Sequence, residues 1–557
     1  MLSPFRMVCG DFILPESANY VSLFCFLNLR NLLYLIKTNF RRLTFDAKEV
    51  NGMPLEYISN DNPKKNLYDT LRKFQLNTLL CVISKETATF FAEENFGLNF
   101  GIKYETYQLR EKMTKKCVDV NTYVTGWILL DLSYNAICCT HDYRGTGEIT
   151  PQTVWFLSQL SGEYLGSLES AAIDNFEDTD MDMILYLWGF FGEQRKVQNP
   201  GACFENMKRD LYILFDIAKD DREIDIAGIV DQEIGVDWKT VQSALYLFWA
   251  MSIALPYISE GLDQKIAWRD DTEKAAYLKV LDYYTTDYET IKESSLGRQQ
   301  LYITPYVRTS KGREVISVNC FLNLFLCEHS IMWLVRNYYK KKDSQKFVDR
   351  FGMWFEKYLG ELLREYVGES DFQRICEERD MRADWRAQLD KYSFLIEQKS
   401  ALLRIDVKQQ VSNLYSLKEF AKNNIIKAMR QLKNTEAAMG KECIKVILIY
   451  EDYIETDVMD KIFLMPECDV ENDGRYWLVT IGEMERLLFT FKNDKVKFMS
   501  IMEEKIRRER EHDTTNGLSL DSVMEQFEVI ANEHLKQERF EVYESERNES
   551  IRELLRK

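Results

Sequence analysis

Two charged residues, Glu397 and Lys399, stand at the end of an otherwise apolar stretch of the sequence. Residues 392–400 are mostly apolar and aromatic until Glu397 and Lys399, a composition that predicts a buried strand. Side chains alternate along a strand, so Glu397 and Lys399 share one face while Gln398 lies on the other. A carboxylate and an ammonium in an interior are costly unless they find partners or perform chemistry. With Asp384 upstream, these residues could hold a divalent cation against a phosphodiester.

The elements around these residues must be strands and helices that bring them together. Two predicted strands, 383–389 and 392–400, are joined by a tight turn at Asp390 and Lys391. The run 443–450 is almost continuously apolar, which predicts a central strand covered on both faces. The remaining predicted elements are an amphipathic helix at 347–366, a long helix at 416–435, a strand at 476–480 and a helix at 481–491. This order predicts a mixed sheet flanked by helices.

Length and composition suggest several domains before and after that sheet. The chain has 557 residues, of which 46% are hydrophobic and 13% aromatic, so two to four globular domains are expected. The predicted fold class is α+β or α/β, with a large, mostly helical N-terminal region preceding the mixed sheet. Within the N-terminal part, the apolar run 124–132 predicts a strand. The predicted divisions are a mixed, mainly helical domain at 1–165, a helical regulatory or sensing domain at 166–340, the site-bearing domain at 341–498 and a charged helical tail at 499–557, either peripheral or a partner contact.

Charge narrows the possible partners. The net charge of −17 argues against a surface that is basic all over. Between Arg404 and Lys445, however, nine lysines and arginines face four acidic residues. That reversal predicts either a solvated helix face or a local groove for nucleic acid.

Cysteine usage and the apolar N-terminal run bear on location. Twelve cysteines without a CxxC pair, and only four histidines, argue against zinc and favour free thiols in a reducing cytosol. The run 20–35 is apolar but is interrupted by Asn28, Arg30 and Asn31, so it predicts a buried helix and not a membrane span. We therefore expect a cytoplasmic protein with no membrane partner.

With Asp384 beside one strand and Glu397, Gln398 and Lys399 closing the next, residues 345–495 resemble the PD-(D/E)xK nuclease superfamily, the restriction-endonuclease-like fold. The resemblance implies Mg²⁺ or Mn²⁺ held by Asp384, Glu397 and the backbone carbonyl of Gln398. It also implies that Lys399 orients the attacking water or stabilises negative charge in the transition state.

Four further residues are candidates on weaker grounds. The helix at 347–366 resembles the first core helix of the family, which makes Glu356 an accessory catalytic carboxylate or, alternatively, an ordinary surface residue. Gln431 stands on the helix after the catalytic strand, where some branches of the family carry a glutamine. Arg404 and Lys408 follow the strand pair and are candidate substrate contacts, with a solvated role as the alternative.

The sequence departs from the family pattern at two positions. Ala383 precedes Asp384 where the family often has proline. Thr435 stands four residues after Gln431, where the branches with that glutamine have tyrosine.

These observations predict a metal-dependent nuclease, with endonuclease favoured over exonuclease and DNA over RNA. Double-strand cleavage would call for a homo-oligomer with two sites. The fusion to a large unrelated region resembles prokaryotic anti-phage proteins, in which such a chain can be a subunit of a defence complex. The alternative is a catalytically inactive scaffold that binds nucleic acid or protein, with Glu397 and Lys399 as a structural ion pair.

Overall fold

The computed structural model describes most of the chain between residues 55 and 544. The described ranges are 55–57, 62–92, 102–111, 116–140, 145–176, 200–264, 266–309, 314–343, 345–375, 382–403, 414–450, 459–513 and 517–544, with single positions at 182, 185, 186, 192, 197, 453 and 456.

Helices dominate the first part of the chain. The three strands there are β1 (Leu55–Tyr57), β2 (Ile102–Glu111) and β3 (Cys117–Thr125), which form a sheet in that order. The helices are α1 (Pro63–Leu71), α2 (Leu76–Ala92), α3 (Gly126–Cys139), α4 (Pro151–Ile173), α5 (Pro200–Tyr212), α6 (Ile226–Ile234), α7 (Trp238–Ala254) and α8 (Ile258–Gln264).

The prediction of a strand at 124–132 is wrong, because a helix begins inside that run. The Thr125 side chain accepts a hydrogen bond from the Ile128 backbone N–H at 3.2 Å, which is the contact that starts helices. An apolar run of this length fits a buried helix as well as a strand, and α3 is buried on nearly every side.

A small sheet and more helices complete the region before the site. Strands β4 (Thr285–Asp287), β5 (Tyr306–Arg308) and β6 (Val315–Ser317) pair in that order. The helices around them are α9 (Asp271–Tyr283), α10 (Tyr288–Glu293), α11 (Gln300–Ile303) and α12 (Cys320–Lys340).

The second half holds a five-stranded mixed sheet in the order β11-β10-β9-β8-β7. Strands β7, β8 and β9 run antiparallel to their neighbours within that trio, whereas β9, β10 and β11 are parallel. The strand bounds are β7 (Phe372–Arg374), β8 (Trp385–Leu389), β9 (Tyr392–Lys399), β10 (Ile444–Ile449) and β11 (Tyr476–Thr480). The prediction of a central strand near 443–450 is confirmed, since β10 is flanked on both edges and buried throughout.

Helices cover both faces of this sheet. They are α13 (Lys346–Tyr366), α14 (Leu414–Phe420), α15 (Lys427–Met439), α16 (Met459–Ile462), α17 (Ile481–Asn493), α18 (Lys495–Glu511) and α19 (Leu520–Gln526). A π-helical turn, Ala421–Ile426, joins α14 to α15.

The two faces of β9 belong to different apolar cores. Phe394 and Ile396 lie in the large core that includes the inner side of α13, while Leu395 lies in a second core with Leu432 of α15. Side chains at odd positions of β9, which include Glu397 and Lys399, therefore face α15.

A buried polar group, here called the Arg209 cluster, ties α5 to the second half of the chain. The Arg209 guanidinium donates to both carboxylate oxygens of Glu485, at 2.6 and 2.7 Å. Tyr358 and Asn532 each donate to one of the same oxygens at 2.5 Å. Burial alone would raise the pKa of Glu485, but the charge and hydrogen bonds of Arg209, with the nearby His534 and the Tyr358 hydrogen bond, together outweigh burial and hold that pKa below its usual value.

Helices make up much of the described part of the segment after residue 499, and that part is not peripheral. Leu520, Leu535 and Phe540 are buried in the large core. Lys208 of α5, itself buried, forms ion pairs with Glu541 at 2.8 Å and Glu544 at 2.6 Å. No helix in the described ranges is long and apolar enough to cross a membrane. The apolar run at 20–35 lies outside these ranges.

Candidate active site

The register of β8 and β9 brings Asp384 close to the end of β9. Trp385 pairs with Ile396 across the two antiparallel strands, and Asp384 directly precedes Trp385, near the end of β9 that carries Glu397. The Asp384 N–H donates to the Ile396 carbonyl at 3.1 Å and the Asp384 carbonyl accepts from the Ile375 N–H at 2.8 Å, so Asp384 lies between β9 and the end of β7, just outside the regular ladder. That the carboxylates of Asp384 and Glu397 meet around a metal ion stays a prediction.

Lys399 lies on the same face of β9 as Glu397 and contacts two polar side chains. Its ammonium is 2.5 Å from Oε1 of Glu397 and 3.1 Å from Oε1 of Gln431, on α15. The Glu397 side chain is 3% exposed and that of Lys399 is 15% exposed, so the ammonium stands nearer the surface than its partner. The structure therefore groups Asp384, Glu397, Lys399 and Gln431.

The backbone of Gln398 faces Asp384. Its N–H donates to Oδ2 of Asp384 at 2.7 Å. The N–H and C=O of one strand residue point toward the same neighbouring strand, so the Gln398 carbonyl also lies on the Asp384 side. The next carbonyl, that of Lys399, points the other way and accepts from the Tyr450 N–H at 3.0 Å.

These oxygens fit a hard divalent cation. Two carboxylates and one carbonyl at the end of a strand pair are ligands of the type that Mg²⁺ takes, with water completing its shell. No group of three or more His, Cys, Asp or Glu residues suited to a metal occurs in the described part of the chain. The donor set here is smaller and consists only of oxygen.

Glu356 is not brought into this group. Two glycines on its stripe of α13 bring that helix close to the sheet: a Cβ built on Gly352 would lie 3.3 Å from Ser400 Oγ, and one on Gly360 would lie 3.2 Å from the Trp385 ring. Trp385 is on the face opposite Glu397. Glu356 instead forms an ion pair with Arg374 of β7.

The predicted basic surface is partly neutralised within the protein. Four of its members pair with carboxylates: Lys418 with Asp182, Lys422 with Glu419, Arg430 with Asp469 and Lys445 with Glu436. Among the described residues of the segment, Lys427 is exposed and has no acidic partner. Arg404 and Lys408 lie outside the described residues.

Sequence reasoning missed the contacts that hold Asp384 in place. The Thr435 hydroxyl accepts a hydrogen bond from the Ala383 N–H at 2.7 Å, and Nε2 of Gln431 donates to the Arg382 carbonyl at 3.4 Å. The spacing of Gln431 and Thr435 places both on one face of a helix. That spacing was the available signal, but it does not show which backbone the face meets.

No family model, curated protein or solved structure matches this chain. The case for a function therefore rests on the geometry of the site.

Proposed function

We propose that this chain is a metal-dependent nuclease that hydrolyses phosphodiester bonds of nucleic acid. The observation that carries the proposal is the group at the end of β8 and β9, in which the Asp384 carboxylate accepts from the Gln398 N–H and Lys399 contacts Glu397. The mixed sheet around it, with β9 antiparallel to β8 and parallel to β10, supports the resemblance to the restriction-endonuclease-like fold.

The oxygen ligands of the proposed metal are those that the strand ends present. Asp384, Glu397 and the Gln398 carbonyl would hold Mg²⁺ or Mn²⁺. When bound, such an ion supplies a water of lowered pKa and neutralises charge on the phosphate. The protein's own contribution is to fix these oxygens at the end of two paired strands, so that little reorganisation accompanies binding.

Lys399 is suited to act on the water or on the phosphate. An ammonium has three N–H donors, and within the described residues two of them are directed at Glu397 and Gln431. The third is available for the attacking water or for a phosphate oxygen. Gln431 restrains the long lysine side chain, which is otherwise free to rotate.

The wider role stays within the same proposal. DNA is favoured over RNA as the substrate, internal cleavage over trimming from ends, and a cytoplasmic homo-oligomer or subunit of an anti-phage defence complex as the setting. The large helical part would sense, regulate or dock, since it buries α5 against the sheet-bearing half through the Arg209 cluster.

The test is cleavage of plasmid, single-stranded DNA and RNA by the purified chain in Mg²⁺, Mn²⁺ or EDTA. We expect metal-dependent cleavage that falls by at least about 10²-fold in Lys399→Met and in Asp384→Asn, the size of effect seen when one preorganised charge-stabilising group is removed. Asparagine keeps an acceptor for the Gln398 N–H, so the fold should survive.

The matched control is Lys391→Met, on the turn of the same strand pair. Lys391 contacts Glu503 at 3.1 Å, and both side chains are more than half exposed, so its loss should leave cleavage unchanged. Wild-type activity in purified Lys399→Met would remove the assignment.

A non-cleaving scaffold is the second candidate, because the Lys399–Glu397 contact is by itself a satisfied ion pair. Titration calorimetry with Mg²⁺ and Mn²⁺ separates the two. A nuclease should show a site that Asp384→Asn abolishes, whereas a scaffold should show none.

A further inference from the structure

The segment that enters β8 is held from outside the sheet. Ala383 is fully buried, and its N–H precedes the first residue pair of β8. That N–H is directed at Thr435 of α15, at 2.7 Å. One residue earlier, the Arg382 carbonyl accepts from Gln431, at 3.4 Å. Helix α15 thus contacts two successive residues immediately before Asp384.

The direction of the Thr435 bond is fixed by its second contact. The hydroxyl is also 2.8 Å from the Gln431 carbonyl, one helical turn back. A hydroxyl has a single proton to donate and two lone pairs to accept with, and a carbonyl oxygen can only accept. The proton of Thr435 therefore goes to Gln431, and a lone pair is left for the Ala383 N–H.

The same helix face also reaches the other strand of the site. Gln431 contacts the Lys399 ammonium with its oxygen and the Arg382 carbonyl with its nitrogen. Thr435, one turn further, fixes the residue next to Asp384. One face of α15 therefore sets both the lysine and the aspartate, which come from different strands.

We propose that Thr435 is a positioning residue, which holds the Asp384 carboxylate where it can bind the metal. This inference rests on the proposed function. Proline has no N–H, so the bond to Thr435 requires a residue such as Ala383 in that place.

The test uses the full-length chain with Thr435→Val, which keeps the shape and removes the hydroxyl, and Thr435→Ser, which restores it. The readout is the Mg²⁺ concentration at half-maximal cleavage. We expect valine to raise that concentration by about 10- to 100-fold, the usual cost of losing a group that orients a metal ligand. Serine should return it to within about threefold of wild type, because the lost hydrogen bond is restored.

The matched control is Thr490→Val in α17. Thr490 is buried and its hydroxyl bonds back to the Arg486 carbonyl at 2.8 Å, as Thr435 does to Gln431. A purely structural role would lower the melting temperature in both valine variants and leave the Mg²⁺ requirement of both unchanged. That result would overturn the inference and leave the nuclease proposal standing.

Hydrogen exchange of the Ala383 amide measures whether Thr435 holds this segment, and it does not require a cleavage assay. We expect protection in the wild-type chain, loss of protection in Thr435→Val, and retention in Thr490→Val. If the wild-type chain does not cleave, the proposed function fails and this measurement alone decides. Equal protection of Ala383 in both valine variants would then show that Thr435 does not hold the segment.

Discussion

The candidate site and the Arg209 cluster both place a carboxylate against a base in the interior, and they do it in opposite ways. In the Arg209 cluster, Glu485 is fully buried and accepts four hydrogen bonds from Arg209, Tyr358 and Asn532. A guanidinium fork matches both carboxylate oxygens at once and has little freedom left.

At the site, the base is a lysine at the end of a strand. Lys399 contacts Glu397 with a point charge, shares that charge with Gln431 and remains partly exposed. A fully paired arrangement such as Arg209 with Glu485 specifies packing. In the proposed nuclease, a partly exposed base such as Lys399 would be able to exchange a protein partner for a substrate atom. The Arg209 cluster and the candidate site therefore differ in the type of base and in how many of its N–H donors already have partners.

The largest effect that separates the two regions is expected from Arg209→Met. It leaves the Glu485 carboxylate buried without its countercharge, so the free energy of unfolding should fall by about 3–5 kcal/mol. Cleavage per folded molecule should be unchanged, the reverse of Lys399→Met. Denaturant titration and assays at low temperature measure both quantities.

The double variant with Glu485→Leu serves as the control, because it removes the stranded charge and should recover part of the loss. If Arg209→Met lowers the free energy of unfolding by less than about 1 kcal/mol, the Arg209 cluster does not hold the two halves of the chain together.

An intermediate effect is expected on acidification, through His534 beside the Arg209 cluster. Its ring contacts the hydroxyls of Tyr358 at 3.1 Å and Tyr366 at 2.7 Å, and burial lowers its pKa to about 4. Between about pH 6.5, the ordinary pKa of histidine, and about pH 4, His534 binds a proton in the unfolded chain but not in the folded chain. The free energy of unfolding should fall across this window as pH falls, by at most about 3 kcal/mol.

Comparison with His534→Gln isolates this contribution from that of other titrating groups. The wild-type chain should lose more stability than the variant between pH 6.5 and 4. Parallel stability curves for the two chains would contradict the assignment.

The smallest effect is expected from Glu356→Gln. Its ion pair with Arg374 is partly exposed, and such pairs contribute about 0–1 kcal/mol. Because Glu356 faces away from Glu397, cleavage should stay within about threefold of wild type, a change of less than about 1 kcal/mol in the barrier. Arg374→Gln is the control and should behave alike. A loss of 10²-fold in Glu356→Gln alone would place that carboxylate in the catalytic group.

The parts of the fold that local pattern determines could be predicted from the sequence. The helix predicted at 347–366 is observed at Lys346–Tyr366, and the strand predicted at 476–480 is observed at Tyr476–Thr480. The tight turn at Asp390 and Lys391 fixes the register of β8 against β9, so the approach of Asp384 to the end of β9 was also predictable. These features depend on periodicity and short-range geometry.

What sequence reasoning could not supply depends on contacts between distant segments. Glu356 has the right type and a plausible place, but which face of the sheet its helix covers is a tertiary choice. The Arg209–Glu485 contact joins residues 276 positions apart, and nothing near either residue signals it. The ion pairs made by the basic run 404–445 could not be predicted for the same reason, since the partners Asp182 and Asp469 belong to other parts of the chain.

The π-helical turn Ala421–Ile426 lets the helices on either side of it, α14 and α15, make different packing contacts. A π turn accommodates one more residue than an α turn, so it changes the angular phase between α14 and α15. Leu417 and Phe420 before it are buried, while Gln431 and Thr435 after it meet the strand ends. Removing one residue from this turn would rotate one half by about 100° relative to the other. The helix would then lose either the burial of Leu417 and Phe420 or the contacts of Gln431 and Thr435 with the strand ends.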